Sequence, residues 1–235
     1  MNGLLSRLLP VWLVLCGLAA LGAHGAQPAN AYEYLAIGNS ITRHGECEYW
    51  WNDIGMAASE ESKDYFHIVC AFLREQHEEV RAAAVNLVEW EISGSQERPA
   101  TYALIDPYLT DTLDLITLQL SENAAFSKRF ARDYEALLRH IQEKCPQATV
   151  IAVDDFWSGQ KSAAKKRAAN RLRIPIADLS AIRGDTAFQQ AVGGTVYGAD
   201  GTAHVIENKD VALHPNDLGM AYIARQIISL LTGAP

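Results

Sequence analysis

The stretch YEYLAIGNSIT, residues 32–42, joins an apolar run to a polar turn, and this pattern is the main indication of the fold class. Residues 32–37 form a short apolar segment that ends at Gly38, and Asn39 and Ser40 follow directly. A short apolar run closed by glycine is typical of a buried strand. Reactive groups in α/β proteins gather where such strands end. Ser40 is therefore predicted to lie at the reactive edge of a sheet.

Strand-like and helix-like segments alternate along the remainder of the chain. Apolar runs predict further strands at 80–88, 115–120, 149–153 and 174–179. Helical spacing predicts helices at 62–77, 126–144 and 162–172, and a last one from Pro215, suited to its first turn, to about Leu231. This alternation predicts an α/β fold with a mostly parallel five-stranded sheet covered by helices on both faces. Residues 184–210 are assigned only as a long loop or a small hairpin.

Length and composition indicate one globular domain. The chain has 235 residues, of which 49% are hydrophobic and 20% charged, which suits a single well-buried core. No repeat or flexible linker interrupts residues 32–235, so this range is predicted to be one domain. The formal net charge of -8 argues against a nucleic-acid partner, because no basic field attracts phosphates.

The first 31 residues have the pattern of a cleaved signal peptide. Arg7 supplies a positive charge, residues 8–21 are apolar, and small residues lead to cleavage points after Gly25 or Ala31. The apolar run is too short for a comfortable membrane span. We therefore expect a secreted or periplasmic protein with no stable membrane anchor after cleavage.

Neither the aspartate pair after the fourth predicted strand nor the cysteines predict a metal site. Asp154 and Asp155 have no further ligand nearby in the sequence, and no cysteine–histidine spacing suits a metal, so no metal is predicted. The mature chain keeps three cysteines, enough for one internal disulfide at most; they are Cys47, Cys70 and Cys145. A basic run is predicted to be the solvated face of a helix; it comprises Lys161, Lys165, Lys166, Arg167, Arg171 and Arg173.

Polar residues follow every predicted strand and should meet at one edge of the sheet. Besides Ser40 they include Glu89-Trp90-Glu91, Ser121-Glu122-Asn123 and residues 154–157, while His214 precedes the last helix. A serine, a histidine and an asparagine at one edge would provide a nucleophile, a proton acceptor and an oxyanion donor. Those are the groups that acyl transfer requires.

Three segments resemble the conserved blocks of the SGNH/GDSL hydrolase family. Residues 37–42 (IGNSIT) resemble its nucleophile block, residues 117–123 (TLQLSEN) its third block, and residues 210–219 (DVALHPNDLG) its last block. The three segments occur in the family order and span nearly the whole mature chain. The resemblance implies a three-layer α/β/α sandwich of the flavodoxin-like type and a serine esterase that needs no cofactor.

The same resemblance assigns roles to individual residues. It implies that Ser40 is the nucleophile, His214 the general base and Asp210 the acid that orients the histidine. The oxyanion hole would use the main-chain N–H of Ser40, the side chain of Asn123 and a main-chain N–H near Glu89. The last assignment is the least constrained, since the family's second-block glycine has no counterpart directly after Val88.

Two further departures from the family pattern leave alternatives open. Ser121-Glu122-Asn123-Ala124 stands where the family has Gly-x-Asn-Asp. Asp210 precedes His214 by four residues instead of the usual three. Either one extra residue still brings the Asp210 carboxylate to the imidazole, or a Ser–His dyad works with a carbonyl orienting the ring.

Each candidate also has a purely structural interpretation. Ser40 would suit a turn, His214 a helix entry, and Asn123 the cap of the helix predicted from residue 126. Tryptophans near the predicted site would line a sugar-binding groove or pack the core; they are Trp50, Trp51 and Trp90.

Together these observations predict an exported serine hydrolase that cleaves small acyl esters, with O-acetyl groups on carbohydrate as the first candidate substrate. Two alternatives remain at this stage. The same site would serve an O-acyltransferase acting on a polysaccharide, or the departures would mark a carbohydrate-binding relative with impaired catalysis.

Overall fold

A computed structural model describes residues 31–233 of the chain, and the predicted signal peptide lies almost entirely outside this range. Its centre is a parallel five-stranded sheet in the order β2-β1-β3-β4-β5. The strands are β1 (Tyr32–Gly38), β2 (Val80–Asn86), β3 (Leu115–Gln119), β4 (Thr149–Val153) and β5 (Ile176–Ala177). The α/β class and the parallel sheet predicted from the sequence are confirmed.

Six α-helices are defined within residues 31–233. They are α1 (Tyr65–Gln76), α2 (Val88–Ile92), α3 (Phe130–Lys144), α4 (Ser162–Arg171), α5 (Lys209–Ala212) and α6 (Asp217–Thr232). Alternate residues of β1 face opposite sides of the sheet, as strand geometry requires. Tyr34 and Ala36 pack in one core with residues of α1 and α6, whereas Leu35 and Ile37 pack in a second core with residues of α3 and α4. This confirms the three-layer α/β/α arrangement.

Capping residues move two helix starts from their predicted positions. Asp64 accepts a hydrogen bond from the His67 N–H, so α1 begins at Tyr65 instead of residue 62. Asn216 accepts from the Gly219 N–H, so α6 begins at Asp217 and Pro215 precedes the cap. Such caps stabilise a helix by about 1 kcal/mol.

Other boundaries also differ from prediction. Strand β2 stops at Asn86, and residues 88–92 turn into α2 because the Asn86 side chain accepts the Val88 N–H at 2.9 Å. Helix α3 begins at Phe130, so Asn123 does not cap it. Residues 184–210 contain a small antiparallel hairpin, β6 (Thr195–Tyr197) with β7 (Ala203–Val205), as one alternative proposed.

The described range contains no disulfide among the three mature cysteines. Cys70 and Cys145 are buried and Cys47 is half-buried, all as free thiols. No helix within residues 31–233 has the length and apolar character needed to cross a membrane.

Candidate active site

A tight turn after β1 presents Ser40 at the carboxyl edge of the sheet. A Cβ atom on Gly38 would lie 1.8 Å from Thr42 Oγ1 and 2.7 Å from the Gln119 carbonyl oxygen, so only glycine fits there. The Asn39 carbonyl then accepts the N–H groups of Thr42 and Arg43, each at 3.0 Å. The turn leaves Ser40 half-buried.

His214 reaches Ser40 from the segment between α5 and α6. Ser40 Oγ lies 2.8 Å from His214 Nε2. The other ring nitrogen, Nδ1, lies 2.8 Å from the main-chain carbonyl oxygen of Asp210. A carbonyl oxygen only accepts, so Nδ1 carries the proton and Nε2 accepts from the Ser40 hydroxyl. The structure thus brings together a serine and a histidine that are 174 residues apart.

The contact at Nδ1 corrects the expectation that the Asp210 carboxylate orients the ring. Asp210 lies in the first turn of α5, where Asn208 caps the helix and accepts the Asp210 N–H at 2.7 Å. The helical path then turns the carbonyl of residue 210 toward residue 214. The extra residue before His214 therefore places a main-chain carbonyl, and not a carboxylate, at Nδ1.

Burial favours the neutral imidazole of His214. The residue is 6% exposed, and desolvation lowers its pKa to about 4. Trp157 packs edge-on against the ring with centroids 5.1 Å apart, and its Nε1 donates to the Leu213 carbonyl at 2.8 Å. The His214 ring is therefore neutral at pH 7. Trp157 fixes its orientation in addition to the hydrogen bond at Nδ1.

Asn123 lines the same cleft as Ser40 and His214. Its Nδ2 donates to Glu91 Oε2 at 2.6 Å. Ser121, which stands where the family has glycine, has a φ of +136°, a conformation that favours glycine. The loop therefore keeps the glycine-like backbone despite the substitution.

The two main-chain N–H groups predicted to bind an oxyanion differ in where the structure places them. Within residues 31–233 the Ser40 N–H has no hydrogen-bond acceptor, so it remains available. Glu89 is exposed and does not line the cleft, whereas the preceding Val88 does. The Val88 N–H is already bound to Asn86 Oδ1. The geometry therefore does not bring Glu89 to Ser40, contrary to the prediction.

The cleft around Ser40 has a volume of about 340 Å³. Besides Ser40, Asn123, Asp210 and His214, its walls are formed by the apolar residues Met56, Val88 and Val211 and by the polar residues His44, Tyr49, Asn86 and Asn208. This size and mixture suit a small apolar group attached to a hydroxyl-rich partner.

None of the three tryptophans of the predicted sugar-binding groove lines the cleft, and core packing is the interpretation that holds for Trp50 and Trp90. Trp50 and Trp90 are both 0% exposed and belong to the two cores. Trp51 is half-buried and stacks on His204, with ring centroids 4.3 Å apart, and it does not line the cleft. The aromatic residue that contacts the His214 ring is Trp157.

A buried charge cluster lies beneath the Ser121 loop and corrects the predicted solvated basic face at Lys161 and Lys165, which are buried. The other end of the basic run is solvated as predicted, because Arg167, Arg171 and Arg173 are exposed. Lys165 is 0% exposed and donates to the Leu120 carbonyl at 2.7 Å and to Ser121 Oγ at 3.0 Å. Burial opposes its charge, but Tyr134 and Asp155 raise the Lys165 pKa above its ordinary value. Asp155 also binds Ser121 Oγ. The hydrogen bonds from Lys165 and Asp155 to Leu120 and Ser121 stabilise the loop that carries Asn123.

Asp154 is likewise buried and paired. Its Oδ2 accepts from Ser162 Oγ at 2.9 Å and from Arg183 Nη2 at 2.7 Å. Both aspartates that follow β4 therefore serve the packing of α4 and its surroundings.

Sequence reasoning placed Glu91 and Trp157 among the polar and aromatic residues after the strands but gave them no role. It did not consider Asn208, which caps α5 and so positions the Asp210 carbonyl. An asparagine two residues before an acidic residue is a capping signal that would have identified it.

Comparison with known proteins finds similar structures but no similar sequence. No protein-family model matches the sequence, and no curated protein matches it. Among solved structures, the chain is similar to a two-domain esterase active on acetylated mannans, co-crystallised with mannopentaose. That match has 18% sequence identity and a TM-score of 0.55, and covers 87% of this chain and 50% of the esterase. The chain thus spans half the length of that protein.

Two further matches also cover most of this chain. Phospholipase A1 from Streptomyces albidoflavus NA297 matches with 12% identity and a TM-score of 0.54, over 85% of this chain and 99% of that one. A family two carbohydrate esterase from Clostridium thermocellum, in complex with cellohexaose, matches with 15% identity and a TM-score of 0.51, over 89% of this chain and 67% of that one. The chain therefore shares the three-layer fold of solved ester hydrolases, consistent with its resemblance to the SGNH/GDSL family.

Proposed function

We propose that this chain is an exported serine ester hydrolase that removes small acyl groups, with O-acetyl groups on carbohydrate as the substrate class. The observation that carries the proposal is the hydrogen-bonded series from Ser40 Oγ to His214 Nε2 and from His214 Nδ1 to the Asp210 carbonyl, at 2.8 Å for each contact. A nucleophile, a base and a group that fixes the base are the elements of acyl transfer.

The reaction follows from this geometry. Ser40 Oγ attacks the ester carbonyl while His214 Nε2 takes the hydroxyl proton, and the Ser40 N–H and the Asn123 amide stabilise the oxyanion. The low pKa of His214 makes its protonated form a ready donor, so the proton passes to the leaving alcohol as the acyl-enzyme forms. Water then attacks the acyl-enzyme with His214 again as base, which releases the acid and restores Ser40.

The carbohydrate part of the proposal has two supports. The polar wall of the cleft, formed by His44, Tyr49, Asn86 and Asn208, offers donors and acceptors to sugar hydroxyls. Two of the similar structures were crystallised with a mannan or a cellulose oligosaccharide. Export is supported by the signal-peptide pattern of the first 31 residues.

The direct test measures acetate released by the purified mature protein from acetylated mannan, alongside labelling by a fluorophosphonate probe. We expect acetate release and labelling at Ser40, because an activated serine is required for both. Adding an unacetylated oligosaccharide should not divert the acetyl group; its transfer to that acceptor would identify an acyltransferase instead. Absence of both labelling and ester cleavage would refute the proposed function.

Asp210→Asn should change turnover only slightly, within about tenfold. Where a carboxylate orients the catalytic histidine, the same substitution lowers kcat by about 10⁴-fold. Here the main-chain carbonyl contacts Nδ1 and survives the substitution. Steady-state kinetics on a short-chain aryl ester would measure the effect. A loss approaching the triad value would show that the carboxylate acts during the reaction.

A further inference from the structure

The carboxylate of Glu91 joins two loops of the candidate site that are distant in sequence. Glu91 is 1% exposed. Its Oε1 accepts from Asn39 Nδ2 at 3.1 Å and from the Ser121 N–H, and its Oε2 accepts from Asn123 Nδ2 at 2.6 Å. One buried side chain thus contacts the neighbour of Ser40 and the candidate oxyanion donor together.

All three groups bound to Glu91 are N–H donors. The side chain at this position must therefore accept at both of its oxygens, as an ionised carboxylate does. A glutamine amide cannot. With its oxygen kept toward Asn39 and Ser121, its NH₂ group would face the NH₂ group of Asn123. Two donors would then oppose each other, and the Asn123 contact would be lost.

The Ser121 loop depends on these contacts for its shape. With a φ of +136°, Ser121 adopts a conformation that costs a non-glycine residue about 1–3 kcal/mol and persists only when its surroundings enforce it. Glu91 binds its N–H, and Asp155 and Lys165 bind its hydroxyl. The position of Asn123, two residues later, is set by the same contacts.

We propose that Glu91 is a positioning residue that holds the Asn123 amide in the geometry required for oxyanion stabilisation. The inference rests on the proposed esterase function. The bond to Glu91 uses one N–H of the Asn123 amide and leaves the second available in the cleft that Asn123 lines. A donor fixed before the reaction needs no rearrangement as charge develops, which is the source of its catalytic effect.

The kinetic test uses Glu91→Gln, Asn123→Ala and the double variant on a short-chain aryl ester. We expect each single variant to lose about 100-fold in kcat with little change in KM, because an oxyanion donor acts in the transition state. The double variant should lose about as much as Asn123→Ala alone, since Glu91 acts through Asn123. Glu97→Gln, on the exposed segment after α2, is the matched control and should keep full kcat.

Unchanged kcat in Glu91→Gln would overturn the proposal, as would losses that multiply in the double variant. A second measurement requires neither activity nor a folded Glu91 variant. The side-chain NH₂ signals of Asn123 are assigned as the pair that is present in the NMR spectrum of the wild-type chain and absent in Asn123→Ala. One proton of this pair should be shifted downfield and protected from solvent exchange.

An Asn123 amide that exchanges like a free surface amide would refute the hydrogen bond between Glu91 and Asn123, and with it the positioning role of Glu91. If the wild-type chain cleaves no ester but shows the protected amide proton, the proposed function fails while the contact between Glu91 and Asn123 stands. The two failures are therefore distinguishable.

Discussion

Ser40→Ala is expected to abolish ester hydrolysis, lowering kcat by roughly 10⁶-fold, the loss seen when a serine hydrolase loses its nucleophile. The hydroxyl is the only atom at this position placed to attack a carbonyl, and its Oγ contacts His214 Nε2 at 2.8 Å. Hydrolysis of a short-chain aryl ester and release of acetate from acetylated mannan would both report the loss.

The same substitution should leave the melting temperature nearly unchanged. Ser40 is half-buried at the rim of the sheet, and removing its hydroxyl opens no core cavity. Ser62→Ala, which removes an exposed hydroxyl outside the cleft, provides the matched control and should keep full activity. Substantial activity in Ser40→Ala would show that another group is the nucleophile.

His214→Ala should reduce kcat by an amount comparable to Ser40→Ala, and the double variant should be little worse than either single one. The two residues act as a unit, because the serine is a weak nucleophile until Nε2 takes its proton. Rate constants for all three variants on the same aryl ester would test this.

His140→Ala is the control for His214. His140 Nε2 bonds Asp106 at 2.6 Å, and the residue does not line the cleft, so its loss should leave kcat unchanged. Independent, multiplying losses at Ser40 and His214 would mean that the pair does not cooperate and would remove the dyad.

Local sequence patterns were sufficient to predict the scaffold. The apolar run before Gly38 is a buried strand, and the turn after it is dictated by a glycine that no larger residue can replace. Alternating strand and helix patterns led to the parallel sheet, because crossover connections return each strand to the same direction. The parallel arrangement then places Ser40 after β1 and Asn123 after β3 at one edge, and the segment between α5 and α6 brings His214 to it.

Boundaries were less predictable, since short-range hydrogen bonds decide them. Residues 87 and 88 have apolar side chains that suit a strand, yet the Val88 N–H donates to the Asn86 side chain and the chain turns into α2. Asn216 shifts the start of α6 past Pro215 in the same way. Asparagine is common at helix starts, so the sequence did contain a sign of each boundary. At residues 87 and 88 the apolar side chains favoured a longer strand and obscured it.

Tertiary structure alone decided the details of the candidate site. The sequence contains an aspartate near His214, but the turn of α5 brings its carbonyl to the ring in place of its carboxylate. Lys165 looks like part of a solvated basic face until Leu120, Ser121 and Asp155, all from other elements, surround its ammonium group. Sequence periodicity specifies which face of an element is apolar. The partners of a buried charge come from segments distant in the chain, and only the assembled fold sets their distances.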